Sequence, residues 1–142
     1  MQSIYIGSDH AGLELKQKLK EHLKAYHVVD LGVFVSEPAD YPDIAYEVAE
    51  KVRENAGSRG ILICGTGIGM CMAANKTPGI RAANCESEQT VEMARKHNDA
   101  NILCLGARIL TPETAKKLVD IFMETEFEKE ERHERRVRKI DN

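Results

Sequence analysis

The chain has no apolar run long enough to span a bilayer, and no stretch with the charged, apolar and small-residue order of a secretory leader. It is therefore expected to stay where it is made, in the cytoplasm. An excess of either charge is also missing. Its 20 basic and 23 acidic residues nearly cancel, to a formal net charge of -3, so no general field draws it to nucleic acid or to an anionic membrane. The four cysteines, Cys64, Cys71, Cys85 and Cys104, form no CxxC pair and no zinc-finger spacing with histidine. Free thiols in a reducing compartment are expected. There is no internal repeat, and no low-complexity segment precedes the charged tail. The 142 residues suffice for one domain with a core on both faces of a sheet.

The most informative stretch runs from Arg59 to Met70. Ile61 to Ile63 form a short apolar run suited to a strand covered on both faces. Gly65, Gly67 and Gly69 follow at alternate positions, and Met70 to Lys76 reads as a helix. A strand, a glycine loop and a helix together make an anion cradle, because bare backbone N–H groups converge there. Cys64 sits at the mouth of the loop, where a nearby helix N-terminus turns a thiol into a base or nucleophile. The loop lacks the Gly-Lys-Ser/Thr ending of a P-loop and the last spacing of the dinucleotide fingerprint. The plainer reading is a tight turn with a structural cysteine, and the rest of the chain decides between the two.

Strands are expected at Ser3–Gly7, Val28–Leu31, Ile61–Ile63, Ile80–Ala83 and Ala100–Leu105. Helices fall between them. Leu13, Leu15, Leu19 and Leu23 mark the first, with Lys and Glu on its other face and Asp9 as a candidate N-cap. Ile44, Ala45, Val48, Ala49 and Val52 mark the second. A later helix runs from about Ser87 to His97, and Pro112 opens the one carrying Ala115, Leu118, Val119, Phe122 and Met123. Five alternations of strand and helix predict an α/β fold, a three-layer αβα sandwich around a Rossmann-like five-stranded parallel sheet. Ligands of such sheets gather at the carboxyl ends of the strands. Those ends hold Asp9 and His10, then Cys64 to Gly69, then Cys85, then Gly106 to Arg108. His97, Asn98 and Asp99 fall at the opposite end of the fifth strand, so they reach that cleft from a neighbouring molecule or around an edge.

Glu126 to Asn142 is a highly charged helix former with Val137 and Ile140 as its apolar anchors. A solvated, salt-bridged helix is the default for such a run. Arg132 and Arg136 nevertheless share one face, beside His133 and Arg135, and two guanidinium groups so spaced make a fork for phosphate. A helix with so little apolar surface is expected to dock on a second subunit.

Five blocks now stand out: Gly7-Ser8-Asp9-His10-Ala11-Gly12; Asp40-Tyr41-Pro42; Gly60 to Gly69 with Ala73-Ala74-Asn75-Lys76; His97-Asn98-Asp99-Ala100-Asn101; and Arg132-His133-Glu134-Arg135-Arg136-Val137. Together they resemble the ribose-5-phosphate isomerase B family, which also includes galactose- and allose-6-phosphate isomerases. The resemblance implies an aldose–ketose isomerase needing no metal and no cofactor, acting on ribose 5-phosphate and ribulose 5-phosphate. It implies a homodimer with a shared pocket and leaves pairing into a tetramer open. By the same analogy Cys64 takes the proton from C2 and His97 helps to open the sugar ring. Asp9 and His10 bind substrate, and Gly65, Gly67, Ile68 and Gly69 hold the enediolate. Asn98 and Arg108 complete the pocket, and Arg132 and Arg136 take the phosphate. Thr66 is placed to relay a proton between the sugar oxygens. Met70 stands where some members carry a glutamate base, and Cys71 where serine is usual. Glu128-Lys129-Glu130-Glu131 replaces a shorter glycine-rich link, which leaves Arg135 as a stand-in on the phosphate. A hexose-phosphate isomerase and a non-catalytic sugar-phosphate binder share most of these features.

Overall fold

The computed structural model describes residues 2–142. Five strands form one sheet: β1 (Ser3–Ser8), β2 (His27–Asp30), β3 (Arg59–Cys64), β4 (Ala82–Asn84) and β5 (Ile102–Gly106). The order across the sheet is β2-β1-β3-β5-β4, and every pairing is parallel. The helices are α1 (Leu13–His22), α2 (Tyr41–Glu54), α3 (Ile68–Ala74), α4 (Glu88–Asn98), α5 (Pro112–Glu124) and α6 (Glu131–Asp141). The αβα sandwich expected from the alternation is present.

Strand periodicity divides the core. Ile4 and Ile6 of β1, Ile61 and Ile63 of β3, and Leu103 and Leu105 of β5 face one side, where α1, α4 and α5 cover them. Leu62 and Cys64 of β3, with Ile102 and Cys104 of β5, face the other, under α2 and α3. The buried stripe of α2 is Ala45, Val48, Ala49 and Val52, as its spacing requires. Pro112 lies in the first turn of α5, and Thr111 caps that helix by accepting the Thr114 N–H.

One feature departs from the sequence reading. Lys16 does not join the solvated face of α1 but is fully buried. Its ammonium reaches Asp30 at 2.9 Å and the Val33 carbonyl, with the Phe34 ring 5.1 Å away. Three partners make that burial tolerable. Burial pushes the Asp30 carboxyl up, but hydrogen bonds from Lys16, Lys20 and the Gly32 N–H outweigh it and hold the group below its ordinary value. Helix α6 packs against its own α4, with His133 and Val137 buried. The Arg81 guanidinium also grips Asp141 at 2.9 and 3.0 Å. One face of α6 thus belongs to its own domain, while Arg132 and Arg136 stay exposed.

Among the described residues, no helix is long and apolar enough to cross a membrane, and all four cysteines are free.

Candidate functional site

Strand order reverses direction between β1 and β3, so the crevice of a doubly wound sheet opens at their carboxyl ends. Asp9 follows β1 directly. Its amide donates to the Ile63 carbonyl at 3.1 Å, and its carboxylate accepts the Gly12 N–H at 3.1 Å. That cap fixes Asp9 at the rim, in a short 3-10 turn that leaves His10 exposed.

Cys64 ends β3. Alternation aims its side chain toward α2 and α3, where it packs in the cluster holding Met70 and Cys104 and keeps 6% exposure. The sequence placed this thiol at the mouth of the loop; it lies at the floor instead. The reason is Gly67. With φ at 85° it turns the chain back over the strand end, and its N–H donates to the Cys64 sulfur at 3.1 Å. Gly67 is also the left-handed residue before α3, which is why that helix starts at Ile68 rather than Met70. Thr66 is exposed at the lip, and its hydroxyl accepts the Ile68 N–H at 3.2 Å. Two loop amides are therefore engaged within the loop. Gly69, in the first turn of α3, belongs to the positions whose N–H has no partner inside the helix.

The β5–α5 turn closes the other wall. Ala107 and Arg108 donate their N–H groups to the Cys64 and Gly65 carbonyls at 2.8 and 3.0 Å. The Arg108 guanidinium lies over Gly65, where an added Cβ would stand 3.1 Å from its Nη1. An exposed cation thus sits beside the loop.

Two residues here had no assigned part in the sequence reading. Asn84, at the end of β4, donates its amide to the Thr66 carbonyl at 3.2 Å and to the Cys104 carbonyl at 3.1 Å. It braces the loop from beneath. Tyr41 opens α2, and its ring lies so close to Gly69 that a Cβ there would come within 2.5 Å. The Asp40-Tyr41-Pro42 block was the available signal, but nothing in its local pattern reveals a partner at Gly69.

Cys71, on α3, has the thiol whose pKa falls to about 7. The Cys104 thiol donates to it, which outweighs burial, and the Asn84 N–H adds to the effect; Cys104 itself is pushed well up.

The remaining candidates lie elsewhere. His97 and Asn98 form the last turn of α4, at the amino edge of the sheet. β5, about 13 Å long at ~3.3 Å per residue, separates that level from Cys64. The His97 ring stacks on His133 of α6, with centroids 4.5 Å apart and 12° between the planes. Arg132 meets Glu130 at 3.2 Å and Arg135 is tied to Glu131 at 2.8 Å, whereas Arg136 has no ion pair among the described residues. The candidate residues thus form two groups within the chain: Asp9, His10, Cys64–Gly69 and Arg108 at the carboxyl edge, and His97, Asn98, Arg132 and Arg136 away from it.

A doubly wound α/β protein with a thiol under a glycine loop and an arginine at its rim belongs to the class that handles small anionic substrates. The Ribose/Galactose Isomerase family matches residues 4–140. The ribose-5-phosphate isomerase B of Escherichia coli K12 is 42% identical, over 99% of this chain and 95% of that protein. D-erythrulose-4-phosphate isomerase of Pectobacterium atrosepticum is 44% identical, over 90% of this chain and 86% of that one. The structure of ribose-5-phosphate isomerase B from Mycoplasma genitalium with bound ribulose-5-phosphate is 50% identical. It superposes with a TM-score of 0.94, over 97% of this chain and 93% of that chain. The chain belongs to the ribose/galactose isomerase family.

Proposed function

We propose that this chain is a cytoplasmic aldose–ketose isomerase that interconverts ribose 5-phosphate and ribulose 5-phosphate. The observation that carries the reading is Cys64, held under the Gly67 amide at the switch-point crevice of a chain of this family.

The chemistry follows from these groups. The Cys64 thiolate takes the C2 proton, and electrons move toward the C1 oxygen as the enediolate forms. Loop amides and Arg108 meet the developing charge; losing one such donor typically costs ~10²–10³ in rate. Thr66 passes a proton between the C1 and C2 oxygens, and the Cys64 S–H returns its proton to C1. The base ends as it began. Asp9 and His10 hold the sugar hydroxyls. This proton path is complete without a metal or a cofactor.

Ring opening needs an acid at the ring oxygen, and His97 is suited to it by type. Its place at the far edge supports a shared pocket in a homodimer, with His97, Asn98, Arg132 and Arg136 supplied by a second copy. The exposed face of α6 is the surface available for that docking.

The Pectobacterium relative directs attention to a shorter sugar phosphate, and the family description to hexose phosphates. All share the reaction and differ in chain length. Assaying ribose, erythrulose, allose and galactose phosphates side by side separates them: the proposal requires the highest kcat/KM for the pentose, and a clear preference for another chain length overturns it.

A further inference from the structure

Cys71 and Cys104 meet where α3 lies over β4 and β5. As a thiol, Cys71 donates to the Ala82 carbonyl at 3.4 Å, and the Asn75 amide donates to its sulfur at 3.6 Å. The same sulfur accepts the Asn84 N–H. Ala82 pairs with Ile102 and Asn84 with Cys104, so a side chain touching both β4 residues stands over Cys104. Strand alternation turns Cys104 into the cluster against which Cys71 packs, and its thiol donates to the Cys71 sulfur. The two thiols differ in access: Cys71 is half-buried, whereas Cys104 is fully buried. They differ in ionisation too. The Cys104 donor brings the Cys71 pKa to about 7, while the hydrogen bond to Cys71, burial and the Cys71 charge push Cys104 well up. A reachable, acidic thiol beside a buried second one is the arrangement of a redox-sensing pair.

We propose that Cys71 and Cys104 are a reversible dithiol–disulfide pair, oxidised by hydroperoxides, beneath the glycine loop. The Cys71 thiolate attacks one peroxide oxygen. The O–O bond breaks, the sulfur becomes a sulfenic acid, and the departing hydroxide takes up the proton that Cys71 had released. The Cys104 sulfur then attacks the sulfenic sulfur. The S–S bond forms as the S–O bond breaks, and the Cys104 proton leaves with that hydroxide as water. Two thiols together lose two electrons, and one peroxide becomes two waters. The first step prepares the second, because a neutral sulfenic acid no longer carries the charge that kept the proton on Cys104. In a reducing compartment ambient thiols reverse the bridge by exchange. A covalent S–S bond is shorter than a thiol contact, so closing it draws α3 toward β5. The Cys71 N–H donates to the Gly67 carbonyl at 3.1 Å, so that movement shifts the residue whose amide meets Cys64. Isomerisation falls as a result. This consequence rests on the reading of Cys64 as the base, whereas the bridge itself does not.

The test treats the reduced full chain with a small excess of hydrogen peroxide and maps its thiols by mass spectrometry. The chain should lose two hydrogens, with Cys71 and Cys104 in one linked peptide that a reductant separates. Cys104→Ala should stop at the sulfenic acid, trapped by dimedone on Cys71. Absence of the bridge overturns the pair, and so does a bridge that runs through Cys64 or Cys85 instead. This mass readout needs no turnover, so it stands or falls apart from the isomerase reading. Activity then separates control of the loop from damage to the base. Wild-type kcat should fall about tenfold or more as the bridge forms, within the scale of a ~1 Å displacement in a site, and return with reductant. Cys71→Ser, folded by circular dichroism and near wild type before treatment, should keep its activity at equal peroxide. Equal loss in Cys71→Ser would place the damage at Cys64 and overturn the inhibition while leaving the bridge standing.

Discussion

The Gly67 amide donates to the Cys64 sulfur at 3.1 Å, so the loop that would hold the substrate's oxygen also holds the base that would take its proton. Both functions depend on one backbone conformation.

Gly67→Ala tests that dependence. The position has φ at 85°, and a Cβ there would stand 2.3 Å from the Asn84 amide nitrogen and 3.0 Å from the Leu105 backbone. The left-handed conformation alone costs a non-glycine residue about 1–2 kcal/mol. We expect a folded but less stable protein whose kcat falls ~10²-fold or more as the amide leaves its station. Wild-type kcat in this variant would dissociate the loop from catalysis.

Among the described residues Arg136 carries no ion pair, unlike Arg132 and Arg135. A guanidinium that grips a remote phosphate binds ground state and transition state alike. Arg136→Ala should therefore raise KM well above tenfold and change kcat much less. An unchanged KM would remove this residue from the pocket.

A shared pocket predicts complementation. Cys64→Ala and His97→Gln chains should each be inactive alone. In a mixed dimer one of the two pockets draws both intact residues from different chains, so up to half of the wild-type activity per dimer returns. Verified mixed dimers without activity would place Cys64 and His97 in the same chain's site.

Asp30 anchors the buried ammonium of Lys16. Its carboxyl is held below the ordinary value, so the stability it lends is full above the unfolded carboxylate range and drains as pH falls below about 4. Asp30→Asn strands Lys16 and should cost about 3–5 kcal/mol at neutral pH. The variant should also lose part of the wild type's decline in melting temperature on acidification. A loss under 1 kcal/mol would show that Val33 and Phe34 suffice for Lys16.

The parallel sheet was legible because its strands are short apolar runs separated by amphipathic stripes. Boundaries moved by a residue or two. β5, for example, starts at Ile102 rather than Ala100, because Ala100 and Asn101 belong to the turn out of α4. The loop and Arg108 were legible too, since both follow strand ends and the topology does the rest. Contacts between distant segments were not. Tyr41 on Gly69, Asn84 under Thr66, and the burial of Lys16 depend on how helices settle on the sheet, which no local spacing encodes.

The depth of Cys64 makes one experiment the most direct. Ribose 5-phosphate incubated in deuterium oxide with the wild-type protein should exchange its C2 proton as ribulose 5-phosphate accumulates. Cys64→Ala should bind the sugar phosphate with near wild-type affinity and show no exchange above the uncatalysed rate. Exchange persisting in that variant would contradict the account, because the proton would then be leaving to another base.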